Sequence, residues 1–318
     1  MPPHFWLWAG IGLAVFGVGY WWMAQRELAS QKAGVMAKQR AIKHSLGPRI
    51  FPFRDKIESW VMELAGPYKG DWVEPGLQWR VIRSGAGVYF RLRLKNAKDP
   101  KAIRKAASSS LHDGFTACFF VREGAADPRS GSKCHALADC EPGLLCNEWD
   151  VCSPPPRPYN MRLAYRALRV LSDDWTDALL EATSDLAVRV CERDLDAATK
   201  NDVPIAIDVL ARAKYATVVL DEDPKQGLPK PLEDAGVESD EERVQREAHM
   251  ARVGIWDLHD DRVVLRLRRE AFGTFVPVGG RVVRRVETVA AQSRQANSCA
   301  LATTVRRVAE EAAQREAR

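Results

Sequence analysis

Four cysteines at a single spacing, Cys134-x5-Cys140-x5-Cys146-x5-Cys152, constrain this chain more than any other feature. The run that carries them, SKCHALADCEPGLLCNEWDVCSPPP, is rich in turn formers and too short to bury a core of its own. Such a segment keeps one shape only if covalent bonds or a metal staple it. Disulfides persist in oxidising compartments, so the ladder also bears on the side of a membrane where the body works. Four cysteines allow three pairings, and the sequence leaves all three open. Zinc ligand pairs use spacers of two to four residues, so a uniform five-residue spacer speaks against a tetrathiolate site.

Taken as C-x4-D-C-x2-G-x2-C-x5-C, on Cys134, Asp139, Cys140, Gly143, Cys146 and Cys152, the ladder resembles the short cysteine-rich knuckle of the Dickkopf N-terminal type. The resemblance covers residues 134–152 and implies two disulfides in an extracytoplasmic segment. Cys191 and Cys299 fall in helical stretches of the second half and make a third bridge if those helices pack together. Cys118, inside the apolar run FTACFFV, reads as a buried small hydrophobe. The disulfide candidates are therefore Cys134, Cys140, Cys146, Cys152, Cys191 and Cys299.

The N-terminus carries the second constraint. From Phe5 to Ala24 no residue is charged, and a helix of that length spans roughly 30 Å, the thickness of a bilayer core. Trp6 and Trp8 lie at one end, and Tyr20, Trp21 and Trp22 at the other, as interfacial rings do. The stretch lacks the charged start and small-residue site of a cleaved signal peptide. A single transmembrane helix is predicted, with the membrane as partner through residues 5–24. Gly10, Ala14 and Gly17 line one face of it, a spacing that lets helices approach closely.

Residues 25–50 hold Arg26, Lys32, Lys38, Arg40, Lys43 and Arg49 against Glu27, a net of +5 that equals the charge of the whole chain. The body is therefore neutral, and nucleic acid is not an expected partner. Residues 26–49 can instead lie on anionic lipid headgroups. A positive flank predicts a cytoplasmic body, whereas the cysteine ladder predicts an oxidising one. The ladder is the more specific signal, so the body is placed outside the cytoplasm, with a cytoplasmic body as the alternative.

Pro48 and Pro52 are expected to close a stalk, followed by a short helix at 54–64 that Gly66-Pro67 stops. Residues 77–83 and 88–95 read as a hairpin across Ser84-Gly85-Ala86-Gly87. In its second strand Val88, Phe90, Leu92 and Leu94 share a core face, while Tyr89, Arg91, Arg93 and Lys95 share the other, whose cations are expected to face solvent or to pair with acids across strands. A helix over 101–110 and a buried strand over 115–122 follow. Helices are predicted from Met161, after Asp173-Asp174 and at 204–213, then a strand at 215–220. The loop 221–242 holds nine acids against Lys225 and Lys230 and reads as solvated, without the spacing of a calcium loop.

A second hairpin, 251–258 with 262–269, carries Arg266 and Arg268 on a basic face that echoes the first hairpin. A terminal helix from Arg281 buries a stripe of Val282, Val286, Val289, Ala296 and Ala300. The fold class is α+β: an N-terminal single transmembrane helix, then a mainly antiparallel sheet with packed helices and a small disulfide-rich insert. The segments are an anchor at 1–24, a basic juxtamembrane stalk at 25–50, a first α+β segment at 51–125, the cysteine-rich insert at 126–158 and a second α+β segment at 159–318.

No catalytic constellation accompanies this architecture. Ser110, His112 and Asp113 are sequence neighbours with no nucleophile elbow, and triads are assembled from distant residues. Gly279-Gly280 is not followed by the lysine of a phosphate loop. No catalytic residue, cofactor or metal is expected. The chain reads as a membrane-anchored, extracytoplasmic binding or structural protein with a possible protein partner, the rivals being a tethered hydrolase and a cytoplasmic-facing scaffold.

Overall fold

The computed structural model describes residues 5–77, 82, 87–107, 114–119, 131–135, 139–141, 145–146, 150–153, 158–232, 238–274 and 286–316, with 5–14 as backbone. In chain order the helices are α1 (Phe5–Ala65), α2 (Pro100–Ala107), α3 (Gly114–Phe119), α4 (Met161–Leu168), α5 (Asp173–Glu181), α6 (Asp185–Ala197), α7 (Val203–Arg212), α8 (Asp240–Arg246) and α9 (Val286–Glu316). The strands are β1 (Trp72–Val73), β2 (Gly87–Arg93), β3 (Leu145–Cys146), β4 (Cys152–Ser153), β5 (Tyr159–Asn160), β6 (Tyr215–Asp221), β7 (His249–Asp257) and β8 (Arg262–Ala271). They fall into two compact units, Met1–Phe51 with Arg166–Ala206, and Pro52–Tyr165 with Ile207–Arg318.

In the first unit the long helix α1 packs with α5 and α6. Ser172 and Ser184 cap those two helices, each accepting a bond from the backbone N–H three residues on. Val35 and Ile50 of α1 are buried, as are Trp175, Leu179, Val188 and Leu195 of α5 and α6. The buried Gln39 amide donates to the Val170 carbonyl at 3.0 Å. Lys32 donates to the Leu180 carbonyl at 2.6 Å, and Lys38 pairs with Asp196 at 2.7 Å and Lys43 with Asp173 at 3.1 Å. Half of the expected basic stalk is thus matched to acids and carbonyls of its own unit. Pro48 and Pro52 do not close a stalk, because α1 runs through both.

The expected transmembrane helix is not supported. Among the described residues no helix is long and apolar enough to cross a membrane.

The second unit is built on a six-stranded sheet of order β1-β8-β7-β6-β2-β5. β1, β8, β7 and β6 are successively antiparallel, whereas β2 lies parallel to both β6 and β5. The sheet is therefore mixed. The second hairpin forms as expected, β7 to β8. Of the first, β2 is described and is paired with β6 and, at its start, with β5, while most of 77–86 lies outside the described residues.

Strand β2 is buried along both faces, as parallel central strands are. One face carries Phe90, which stacks on Tyr165 of α4, and continues across Gly254 and Trp256 of β7. The Trp256 ring stacks on Trp60 of α1 at 5.4 Å between centroids. Gly254 makes this possible, since a Cβ there would run into the Trp256 ring.

The other face carries the main core: Tyr89, Val219, Val253, Ile255, Leu265 and Leu267, covered by Phe115 and Phe119 of α3 and by Leu301, Ala302 and Val305 of α9. The run expected as a strand over 115–122 is helix α3 as far as Phe119. Its phenylalanines stand at i and i+4 on one face, which a short apolar run does not distinguish from a strand. On α9 the buried stripe is Ala290, Asn297, Ser298, Leu301, Ala302, Val305 and Ala309, while Val289 is exposed. Of the expected stripe, Ala296 and Ala300 are half-buried, and Val282 and the side chain of Val286 lie outside the described residues; two of the buried positions are polar and were passed over by apolar periodicity.

Candidate functional site

The side chains of β2 expected to face solvent or to pair with acids across strands are the most deeply buried cations of the second unit. Arg91 and Arg93 are 3% and 1% exposed. Arg91 donates from Nε and Nη2 to the two oxygens of Asp221, at 2.7 and 2.9 Å, and from Nη1 to Ser298 Oγ at 2.9 Å. His249 completes the cluster, with Nε2 2.9 Å from Asp221 Oδ1 and Nδ1 2.8 Å from the Glu247 carbonyl. The ends of β2, β6 and β7 present these groups to one face of the sheet, and α9 covers them.

The two-pronged geometry is the strong form of an Arg–carboxylate contact. Burial pushes the Asp221 carboxyl upward, but the Arg91 guanidinium and the His249 ring outweigh it and hold the acid well below the usual carboxylate range.

A second arginine layer lies beside the first. Arg93 reaches Asp223 at 2.7 Å and Asp240 at 2.6 Å, and Lys95 also reaches Asp240. On the opposite face, Arg252 and Arg268 are cross-strand neighbours and share Glu222, at 2.8 and 2.6 Å. Arg252 also donates to the carbonyls of Leu64 and Gly66, closing the C-terminus of α1. Four acids of the stretch expected to be a solvated loop, Asp221, Glu222, Asp223 and Asp240, are thus partners of the basic strand faces.

Asn297 of α9 serves the same region. Its amide lies 3.0–3.1 Å from the carbonyls of Gln245, Arg246 and Glu247 at the end of α8, and its oxygen accepts from Gly273 N. Farther off, the buried Glu58 of α1 takes two bonds from Arg104 and one from the Tyr165 hydroxyl. Burial and then Glu58 push the Tyr165 phenol well above its ordinary value.

Ser298, His249 and Asp221 have the composition of a hydrolase triad but not its geometry. The Ser298 hydroxyl bonds Arg91, not His249, and none of the three is reachable by a substrate: Ser298, Asp221 and His249 are 0%, 1% and 3% exposed. The arrangement fixes strands and helix together, and it has no access for chemistry. The recess beside Tyr68, Pro67, Trp256 and Arg266 is far too small for a typical small-molecule ligand.

The cysteine ladder forms two disulfides, Cys134–Cys146 and Cys140–Cys152, which choose one of the three pairings the sequence left open. Strands β3 and β4 pair with Cys146 opposite Cys152, and Cys134 N donates to the Asp150 carbonyl. Asp139 accepts from His135 N at 2.8 Å and so pins the turn before Cys140. The sulfurs of Cys134, Cys140 and Cys152 lie within 4.8 Å of one another, but each is spent in an S–S bond.

The third bridge is not Cys191 with Cys299. Cys299 of α9 joins Cys118 of α3, 181 residues away, and Cys191 of α6 is free. Cys118 is therefore a cross-link and not merely a small core residue. No sequence signal marked it, because its partner is set by how α3 and α9 pack. Ser110, His112, Asp113 and Gly279-Gly280 lie outside the described residues. Compared with models of protein families, with curated proteins and with solved structures, the chain matches none.

Proposed function

We propose that this chain is a disulfide-stapled binding or structural protein of an oxidising, extracytoplasmic compartment. The observation that carries the reading is the set of three disulfides, which takes up six of seven cysteines. One of them closes a 181-residue separation inside the core of the second unit, a bond that a reducing cytosol would not maintain. The likeness of residues 134–152 to the Dickkopf-type knuckle points the same way. The sealed charge cluster favours a scaffold over a catalyst, since its polar groups are used up in holding β2, β6, β7 and α9 together.

Peptide mapping of the protein from its native source, alkylated before digestion and kept unreduced, tests this reading. The expected result is three cross-linked peptide pairs and one alkylated cysteine, Cys191. A C-terminal alkaline phosphatase fusion, active only after export, is expected to be active. Seven alkylated thiols, or a silent fusion that is nonetheless produced, would overturn the proposal.

A further inference from the structure

The most exposed apolar surface among the described residues is a continuous stretch of α1. Phe16, Val18, Tyr20, Trp21, Trp22 and Met23 are each between 56% and 73% exposed, and Val15 is 68% exposed. At about 100° per residue these side chains point in every direction around the helix axis, not along one stripe. A groove on a protein partner would ask for one apolar face. A helix that is apolar all round asks for an apolar medium.

The residues that follow supply the complementary charge. The Arg26 guanidinium lies 5.1 Å from the centroid of the Trp22 ring, next to the apolar stretch. Lys32, Lys38 and Lys43 are engaged within their own unit. Arg26, Arg40 and Arg49 are exposed and make no ion pair among the described residues. Tyrosine and tryptophan next to exposed arginine is the side-chain order of a membrane interface, with rings at the acyl boundary and guanidinium at the phosphates.

We propose that residues 15–23 of α1 dock into an anionic lipid surface. Among the described residues no helix is long and apolar enough to cross a membrane, so the contact proposed is with a lipid surface. The contact does not depend on the side of the membrane on which the body works, so it stands or falls apart from the export reading above.

The test uses the purified full chain and vesicles of phosphatidylcholine with or without phosphatidylglycerol, separated by flotation. The chain is expected to float with both, more strongly with phosphatidylglycerol and less so at high salt. Brominated acyl chains should quench part of its tryptophan emission. Changing Trp21→Ser with Trp22→Ser should remove that quenching and weaken flotation at least about tenfold, the scale expected for losing two buried rings. Changing Arg26→Glu with Arg40→Glu should reduce the phosphatidylglycerol preference by about fivefold or more per residue and leave the quenching in place.

Both variants must retain the three disulfides by mapping, which separates lost docking from lost folding. Failure of the intact chain to float overturns the proposal. So does a double tryptophan variant that floats unchanged. A concentration-dependent dimer that shields Trp21 and Trp22 without lipid also overturns it, and assigns the surface to a second copy.

Discussion

Asp221 is held by Arg91 from one neighbouring strand and His249 from the other, in a site without water access. Removing one partner of such a pair leaves an uncompensated buried charge, so Asp221→Ala is expected to cost about 3–5 kcal/mol in denaturant unfolding. Replacing Arg91 and Asp221 together by Met and Leu should cost far less than the sum of the single changes.

The sign of the pH effect follows from the lowered Asp221 value. The folded carboxyl sits below the unfolded reference of about 3.9, so its contribution is complete above that pH and is lost as pH falls toward the folded value. Asp221→Asn should therefore be less stable at neutral pH yet lose less on going to pH 3, as read by melting temperature. On the other sheet face, Gly254→Ala should cost about 1–3 kcal/mol by displacing the Trp256 ring from Trp60.

The sequence allowed the basic strand faces to be either a solvent face or partners of acids on a neighbouring strand, but it did not name the acids, because Asp221 to Glu242 read as a solvated loop. Each pattern was real, but the two are 130 residues apart for Arg91 and Asp221 and meet only when β2 docks beside β6.

At the scale of elements, α9 is the clamp of the second unit. It contributes Leu301, Ala302 and Val305 to the core, Ser298 to Arg91, Asn297 to the end of α8, and Cys299 to α3. Asn297→Leu would strand the carbonyls of Gln245, Arg246 and Glu247, and a loss of about 1–3 kcal/mol is expected, with faster amide exchange in α8. Cys118→Ser with Cys299→Ser should cost about 2–5 kcal/mol because the bond closes a long loop. Opening Cys134–Cys146 by a double serine change closes off only a short loop, so about 3 kcal/mol is the upper expectation, read in the exchange rates of residues near 131–153.

The strands β6, β7 and β8 were readable from apolar runs bounded by turns, while the start of α5 was read at Asp173-Asp174 although its cap is Ser172. On α9 apolar periodicity passed over Asn297 and Ser298, which occupy core positions, and chose Val289, which is exposed. Strand and helix could not be separated over Phe115 to Phe119, where the apolar run is shorter than either pattern needs.

The whole molecule depends on partners that lie far apart along the chain. Val88 to Arg93 of β2 pair with Ala216 to Asp221 of β6, and the cover for both arrives only with α9 near the C-terminus. During synthesis the Cys118 thiol therefore emerges long before Cys299, while the four knuckle cysteines, each bonded to a partner twelve residues away, emerge in between. The nearest thiols available to Cys118 are then the wrong ones, and a bond made to any of them has to be undone by exchange before the native one forms. Pulse-labelled chains are expected to pass through mixed knuckle–Cys118 species that resolve faster with a disulfide isomerase, and Cys118→Ser should abolish those species. A chain truncated before α9 should remain in the mixed state: a helix made after the knuckle and after α3 is the one that proofreads their bonds.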